Sequence, residues 1–295
     1  RRFKSCSLRH FQMHKIIIDT DIGDDVDDAL ALAFAARSPE LKLEGVTTVL
    51  GDTTVRAELA AKVLKSAGIE GVPVAPGESE GLSGEKSKKR INQSGVLEKE
   101  DKLEIKGNAV ELIESIADKY PNQVTIVAIG PLTNIACYIN KRPRSSEKIK
   151  RIVLMGGALK EKTAEYNIKS DAEAAKIVFN SGIPVTMVGL DVTSRCVLWD
   201  KHLDKIVKSR MALAQLLGRF IKLWQGETGR REPVLHDPLA VAAVFKKDLF
   251  ALSSYHIQIE TKGEFTKGFI VPLNSSSNAP NAQVAVDINE SGFLR

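Results

Sequence analysis

Short apolar runs alternate with stretches of helical period through residue 190 of this chain. Residues 15–19 read as a strand buried on both faces of a parallel sheet, because three isoleucines follow one another without a polar break. Residues 29–36 read as a buried helix. A strand at 41–50 precedes an amphipathic helix at 53–67, which Gly68 ends as a C-cap. Residues 72–75 form a short third strand. From Pro76 to about residue 106 the chain is rich in Gly, Ser, Lys and Glu and reads as a long loop, which inside an α/β domain usually serves function. A helix at 108–120, a strand at 123–129 and a helix opening near Pro131 follow. A strand at 151–155, a helix at 170–180 closed by Gly182, and a strand at 184–190 complete the alternation. Residues 203–225 read as one long helical stretch and 236–245 as a shorter helix. Residues 255–261, 265–271 and 283–287 read as terminal β structure, partly antiparallel. This order predicts an α/β fold with an open, mostly parallel, doubly covered Rossmann-like sheet. No repeat or linker breaks the pattern, so residues 13–295 are expected to form a single domain.

The first strand-to-helix turn carries the chemistry. Six aspartates fall within the ten positions 19–28: Asp19, Asp21, Asp24, Asp25, Asp27 and Asp28. In an open α/β sheet such a turn sits at the carboxyl edge, where ligands bind. Six like charges repel one another, and a helix N-terminus offsets only part of that. A bound divalent cation would offset the rest, and oxygen-only ligands favour the hard ions calcium or magnesium. The bland alternative is a solvated acidic loop, which suits the three-isoleucine strand before it poorly. An EF-hand is excluded, because counting from Asp19 its sixth and twelfth positions hold Asp24 and Leu30. Asp19-Thr20-Asp21 also looks like the nucleophile motif of haloacid-dehalogenase-type phosphatases, but a second acidic pair follows at once where those carry a small hydroxylated residue.

Composition changes this picture little. Net charge is +5, yet the basic residues are scattered without interleaved aromatics, so a generic basic surface is expected and no nucleic-acid partner. Three cysteines, Cys6, Cys137 and Cys196, are far apart and odd in number, which suits a reducing cytoplasm. No apolar run approaches the ~20 residues of a membrane span. Residues 1–12 are basic and patternless, without the apolar core of a secretory signal. They read as an upstream extension, with a transit peptide as the alternative, and Met13 would make a natural start.

The acidic stretch resembles the signature of the inosine–uridine-preferring nucleoside hydrolases, Asp-x-Asp-x-Gly-x-Asp-Asp-Ala. Here Asp19-Thr20-Asp21-Ile22-Gly23 and Asp27-Asp28-Ala29 match, with two extra residues between them. Asp25 or Asp28 can take the second metal position, and the Asp-Asp-Ala helix start favours Asp28. Further matches are Gly51-Asp52, where the family ends Gly-Asn; Ile129-Gly130-Pro131-Leu132-Thr133-Asn134; Met155-Gly156-Gly157; Glu165-Tyr166-Asn167; and His236-Asp237-Pro238. Phe220 and Trp224 lie where the family places aromatics near the base, although their spacing also fits core packing. Two features are missing. Only Ile91-Asn92-Gln93-Ser94-Gly95 corresponds to a His-Gly-x-x-Gly loop, and the segment between Met155 and Glu165 is short and lacks an asparagine.

The resemblance covers roughly residues 15–290 and implies the nucleoside hydrolase fold and hydrolysis of the N-glycosidic bond of a ribonucleoside. It implies one calcium ion per chain, magnesium being the alternative, held by Asp21, Asp28, Asp237 and the carbonyl of Ile129. Asp21 would also take a proton from the attacking water. Asp27, Glu165 and Asn167 would bind ribose hydroxyls, and His236 would face the base and protonate it as it leaves. Asp52, Met155, Phe220 and Trp224 complete the expected substrate side. Purine-specific members stack the base between tryptophans and lack the histidine, so this chain is expected to be pyrimidine-preferring or broad, with uridine and inosine as substrates. A homodimer or homotetramer is implied. The alternatives are a catalytically weak nucleoside- or ribose-binding protein, suggested by Asp52 and the missing loop histidine, and the phosphatase.

Overall fold

The computed structural model describes residues 13–84, 91–104, 106–142, 144–273 and 279–295. The expected extension, 1–12, and part of the long loop, 85–90 and 105, lie outside the described residues. In chain order the elements are β1 (His14–Thr20), α1 (Asp27–Arg37), β2 (Leu41–Thr48), α2 (Thr53–Ser66), β3 (Val74–Pro76), α3 (Ala109–Lys119), β4 (Val124–Ala128) and α4 (Thr133–Lys141). There follow α5 (Ser145–Lys148), β5 (Ile149–Met155), α6 (Tyr166–Ser170), α7 (Ala172–Phe179), β6 (Val185–Val188), α8 (Leu190–Thr193), α9 (Asp200–Lys208), α10 (Ala212–Thr228) and α11 (His236–Ala242). Three strands, β7 (Phe250–Ile259), β8 (Ile270–Leu273) and β9 (Ala282–Ile288), and the short α12 (Glu290–Phe293) close the chain.

Among the described residues nine strands join one sheet in the order β3-β2-β1-β4-β5-β6-β9-β7-β8. Pairing is parallel from β3 through β9, and β7 runs antiparallel to both β9 and β8. The expected mixed α/β architecture is therefore present. Ile16, Ile17 and Ile18 are wholly buried, as a strand covered on both faces requires. Alternation sends Ile16 and Ile18 into the core packed with α1, α2, α10 and α11, and Ile17 into the core packed with α3, α4 and α7. β1 pairs with β2 on one side and β4 on the other, so chain order reverses there. The crevice beyond the carboxyl ends of strands at such a reversal is where α/β sheets bind ligands.

Several boundaries differ from the sequence reading. The stretch 203–225 is two helices, α9 and α10, because Ser209 and Met211 are extended. No Gly or Pro marks that break. The helix expected at 170–180 starts as α6 and restarts as α7 at Asp171, whose carboxylate caps Ala174 N–H (3.0 Å) and also accepts Thr133 Oγ1 (2.8 Å) and Leu82 N–H (2.8 Å). β7 starts at Phe250 rather than 255, while Phe265 is exposed and precedes β8. Within the long loop, residues Asn92–Val96 and Lys99–Asp101 form short 3-10 turns.

Candidate active site

Two helix N-termini meet beyond the end of β1. Asp27 and Asp28 lie in the first turn of α1, and Asp237 lies in the first turn of α11. Their positive dipole ends favour carboxylates in that place. The backbone N–H of Asp237 donates to Asp27 Oδ2 (3.2 Å), and Thr20 Oγ1 donates to Asp28 Oδ1 (2.5 Å). Carboxylate oxygens of Asp27, Asp28 and Asp237 come within 4.8 Å of one another. All three are buried, and burial, reinforced by repulsion from neighbouring aspartates that include Asp21 and Asp25, pushes each carboxyl well above its ordinary value. Asp21, an expected metal ligand, lines the same cavity from the turn but stands outside that close trio, whose third member is Asp27. Burial pushes the Asp21 carboxyl up to about 7, with the positive charge of Arg56 opposing. Gly130 permits this closeness, since a Cβ there would fall 2.9 Å from both the backbone N and Oδ1 of Asp21. Crowded, buried oxygen donors of this kind fit a hard divalent cation.

The other strand ends supply the remaining walls. Asn167 is buried, and its Nδ2 donates to the carbonyls of Ile129 (3.1 Å) and Met155 (3.1 Å), tying together the ends of β4 and β5. Glu165 caps α6, accepting the N–H groups of Gly157 (3.0 Å), Asn167 (2.8 Å) and Ile168 (3.1 Å). Burial raises its carboxyl despite those donors. His236 opens α11, with Nδ1 2.7 Å from Thr193 Oγ1. Burial lowers its pKa, with nearby Asp25 opposing. If Nδ1 accepts from the Thr193 hydroxyl, the imidazole proton is on Nε2.

These groups line one cavity of about 780 Å³. Of the expected site residues it takes in Asp21, Asp27, Asp28, Ile129, Met155, Glu165, Asn167, Trp224, His236 and Asp237. Two fall elsewhere. Asp52 caps α2, accepting Val55 N–H (3.1 Å), and Phe220 is wholly buried core; neither lines the cavity. Asp19 is also turned away from it: Oδ1 accepts Thr47 Oγ1 (2.5 Å) and Asn134 Nδ2 (2.7 Å), and burial raises the carboxyl to about 7. The sequence reading missed Thr193 behind His236, and Glu227, Thr228 and Arg230 on the cavity wall. It reached Asn92 only as part of the loop remnant 91–95. Asn92 lines the cavity and hydrogen-bonds Glu227.

The family described as inosine-uridine preferring nucleoside hydrolase matches residues 16–295. The chain belongs to that family. This nucleoside hydrolase is 37% identical over 298 residues to the pyrimidine-specific ribonucleoside hydrolase RihA of Photobacterium profundum, covering 95% of this chain and 96% of that protein. It is 36% identical over 301 residues to the RihA of Salmonella enteritidis, covering 95% of each. Among solved structures, a plant nucleoside hydrolase superposes with a TM-score of 0.83 at 27% identity, covering 95% of this chain and 96% of that one. A purine-preferring ribonucleoside hydrolase from Gardnerella vaginalis superposes with a TM-score of 0.81 at 30% identity, covering 95% of each chain. As a member of the family the nucleoside hydrolase is an enzyme acting on ribonucleosides. Among the described residues no helix is long and apolar enough to cross a membrane.

Proposed function

We propose that this nucleoside hydrolase cleaves ribonucleosides to free base and ribose, preferring pyrimidine nucleosides such as uridine and also accepting inosine. The observation that carries the reading is the placement of Asp21, Asp27, Asp28 and Asp237 in the same cavity as His236. Asp21 takes the proton of the attacking water as C1′ gains positive charge. Asp27, Glu165 and Asn167 hold the ribose hydroxyls, so a 2′-deoxynucleoside leaves a buried carboxylate unpaired and reacts poorly. The imidazolium form of His236, which the charge of Asp25 favours and burial opposes, is held by Thr193 and hands the departing base a proton. A divalent ion, calcium by preference, held by Asp21, Asp28, Asp237 and the Ile129 carbonyl, would orient the water and lower its pKa. Asp28 and Asp237 belong both to this set and to the close carboxylate trio.

Base preference follows from the cavity wall. Trp224 is the tryptophan that lines it, while Trp199, the chain's other one, stands half exposed before α9. A sandwich of two tryptophans around a purine has no second side here. The names of the relatives from Photobacterium profundum and Salmonella enteritidis support the same preference. One domain over 13–295 is supported by the single sheet. A cytoplasmic location is proposed on the scattered, odd-numbered cysteines and a homodimer or homotetramer on the family likeness, with light scattering as the check on assembly.

A reducing-sugar assay tests the proposal on uridine, cytidine, inosine and p-nitrophenyl riboside. Ribose release fastest from the pyrimidine nucleosides is expected. Release from purine nucleosides alone would refute the base preference, and saturable uridine binding without ribose would make the protein a binder rather than an enzyme.

A further inference from the structure

Arg56 lies beneath the acidic turn, outside the cavity. It sits in the first turn of α2 and is wholly buried. Its Nε donates to the carbonyl of Leu50 (2.6 Å). Its Nη1 donates to the carbonyls of Asp21 and Ile22, the latter at 2.9 Å. Its Nη2 donates to the carboxylate of Asp24 (2.9 Å). One side chain thereby fastens the turn after β1 to the turn after β2. A planar guanidinium can serve several acceptors in one plane at once, which a lysine ammonium cannot.

The turn is fastened from a second direction too. Gln93 donates its backbone N–H to the carbonyl of Gly23 (3.1 Å) and its Nε2 to the carbonyl of Asp24 (3.1 Å). Four consecutive carbonyls, 21 to 24, are therefore held from outside the turn, two by Arg56 and two by Gln93. Gly23, at φ +124°, lets these groups approach, since a Cβ there would lie 2.4 Å from Ile91 Cγ2 and 2.9 Å from Leu59 Cδ1. Leu50, whose carbonyl Arg56 grips, has a left-handed φ of 69°, a strained state for a leucine that the surroundings must hold. Asp24 lies in the stretch 24–26, which is two residues longer than the family pattern has between its glycine and its aspartate pair. Asp52 caps the helix that carries Arg56, so the residue found where the family has asparagine serves the same clasp.

We propose that Arg56 and Asp24 form a clasp that positions the lengthened acidic turn, setting Asp21 and Asp28 toward the cation site before an ion arrives. Arg56 is a positioning residue and touches neither substrate nor ion. Its effect on turnover rests on the hydrolase reading above; its effect on the turn does not.

The test uses the full chain with Arg56→Lys, Arg56→Gln and Asp24→Asn. Amide hydrogen exchange on chelator-treated protein reads the turns at 20–28 and 49–53. Calorimetry reads calcium affinity, and steady-state assays at saturating calcium read kcat and KM for uridine. Arg56→Lys and Arg56→Gln should speed exchange in those two turns while the sheet keeps its protection. Calcium affinity should fall about 10–100-fold, as for other groups that orient metal ligands, and kcat should fall with KM little changed. Asp24→Asn, which leaves the carbonyl bonds in place, should do the same to a smaller extent and covers the case in which the Arg56 variants fail to fold. Unchanged exchange and unchanged calcium affinity would overturn the clasp. So would exchange that rises evenly over the chain with calcium affinity intact, which marks a general stability role. A wild-type protein that neither binds calcium nor cleaves uridine would sink the hydrolase reading instead, and the exchange result would still decide the clasp.

Discussion

Removing the divalent ion should expose a loss of stability with rising pH at the cavity carboxylates, a trend that a bound ion cancels there. The carboxyl of Asp21 is pushed from its ordinary 3.8 to about 7 in the folded chain, mainly by burial. Between those values the folded state holds a proton that the unfolded state has released. The contribution of Asp21 to stability is then greatest below about pH 4 and is lost as pH climbs through 7, about 4 kcal/mol for a shift of this size. Asp27, Asp28 and Asp237 are raised well above their ordinary values and act in the same direction. At about 2 °C per kcal/mol for a chain this long, Asp21 alone moves the melting temperature by about 8 °C. A bound cation favours the ionised carboxylates and cancels the trend for those four. Asp19, also raised to about 7, does not line the cavity but acts in the same direction. The quantity to measure is the difference in melting temperature between calcium-loaded and chelator-treated protein, at intervals from pH 5 to 8. That difference isolates the carboxylates that sense the ion from distant surface pairs. It should widen steadily with pH. A difference that is flat or narrows would show that no ion is held by these carboxylates.

Asp21→Asn should lower kcat on uridine about 10²–10⁴-fold with a smaller change in KM, because the amide keeps a ligand oxygen but cannot take a proton; equal losses in both would argue against the base role. His236→Ala should slow uridine strongly and p-nitrophenyl riboside hardly at all, since nitrophenolate leaves without a proton, and equal slowing of both would remove His236 as the acid. Thr193→Val should give a weaker form of the same split by freeing the imidazole, and no change would show that the 2.7 Å contact does not matter. 2′-Deoxyuridine should react far more slowly than uridine in parallel assays, and equal rates would contradict the assignment of Asp27, Glu165 and Asn167 to the ribose.

Local patterns carried most of the site. Strand, acidic turn and helix are contiguous from Lys15 to Leu32, and His236-Asp237 opens a helix whose apolar residues follow at once, so both halves of the carboxylate centre were legible. Arg56 was not, because three of its acceptors are backbone carbonyls, which no side-chain pattern announces, and those of Asp21 and Ile22 lie about 35 residues away. Thr193 escaped for the same reason, its partner being 43 residues distant. Asp52 caps α2 outside the cavity lining, and sequence alone does not separate the two places because a helix cap and a substrate ligand draw on the same residue types. Phe220 shares a helix face with Trp224, but lies a turn deeper in the core while Trp224 reaches the cavity. The break between α9 and α10 is set by two extended residues, Ser209 and Met211, of types that helices ordinarily tolerate.

The central claim is that water cleaves the glycosidic bond in the cavity of Asp21 and His236. The most direct measurement is uridine turnover in ¹⁸O-labelled water with calcium and phosphate both present, with products read by mass spectrometry. One uracil and one free ribose carrying a single ¹⁸O at C1 are predicted, with both lost in Asp21→Asn. Ribose 1-phosphate without labelled ribose, or intact uridine, would contradict the account.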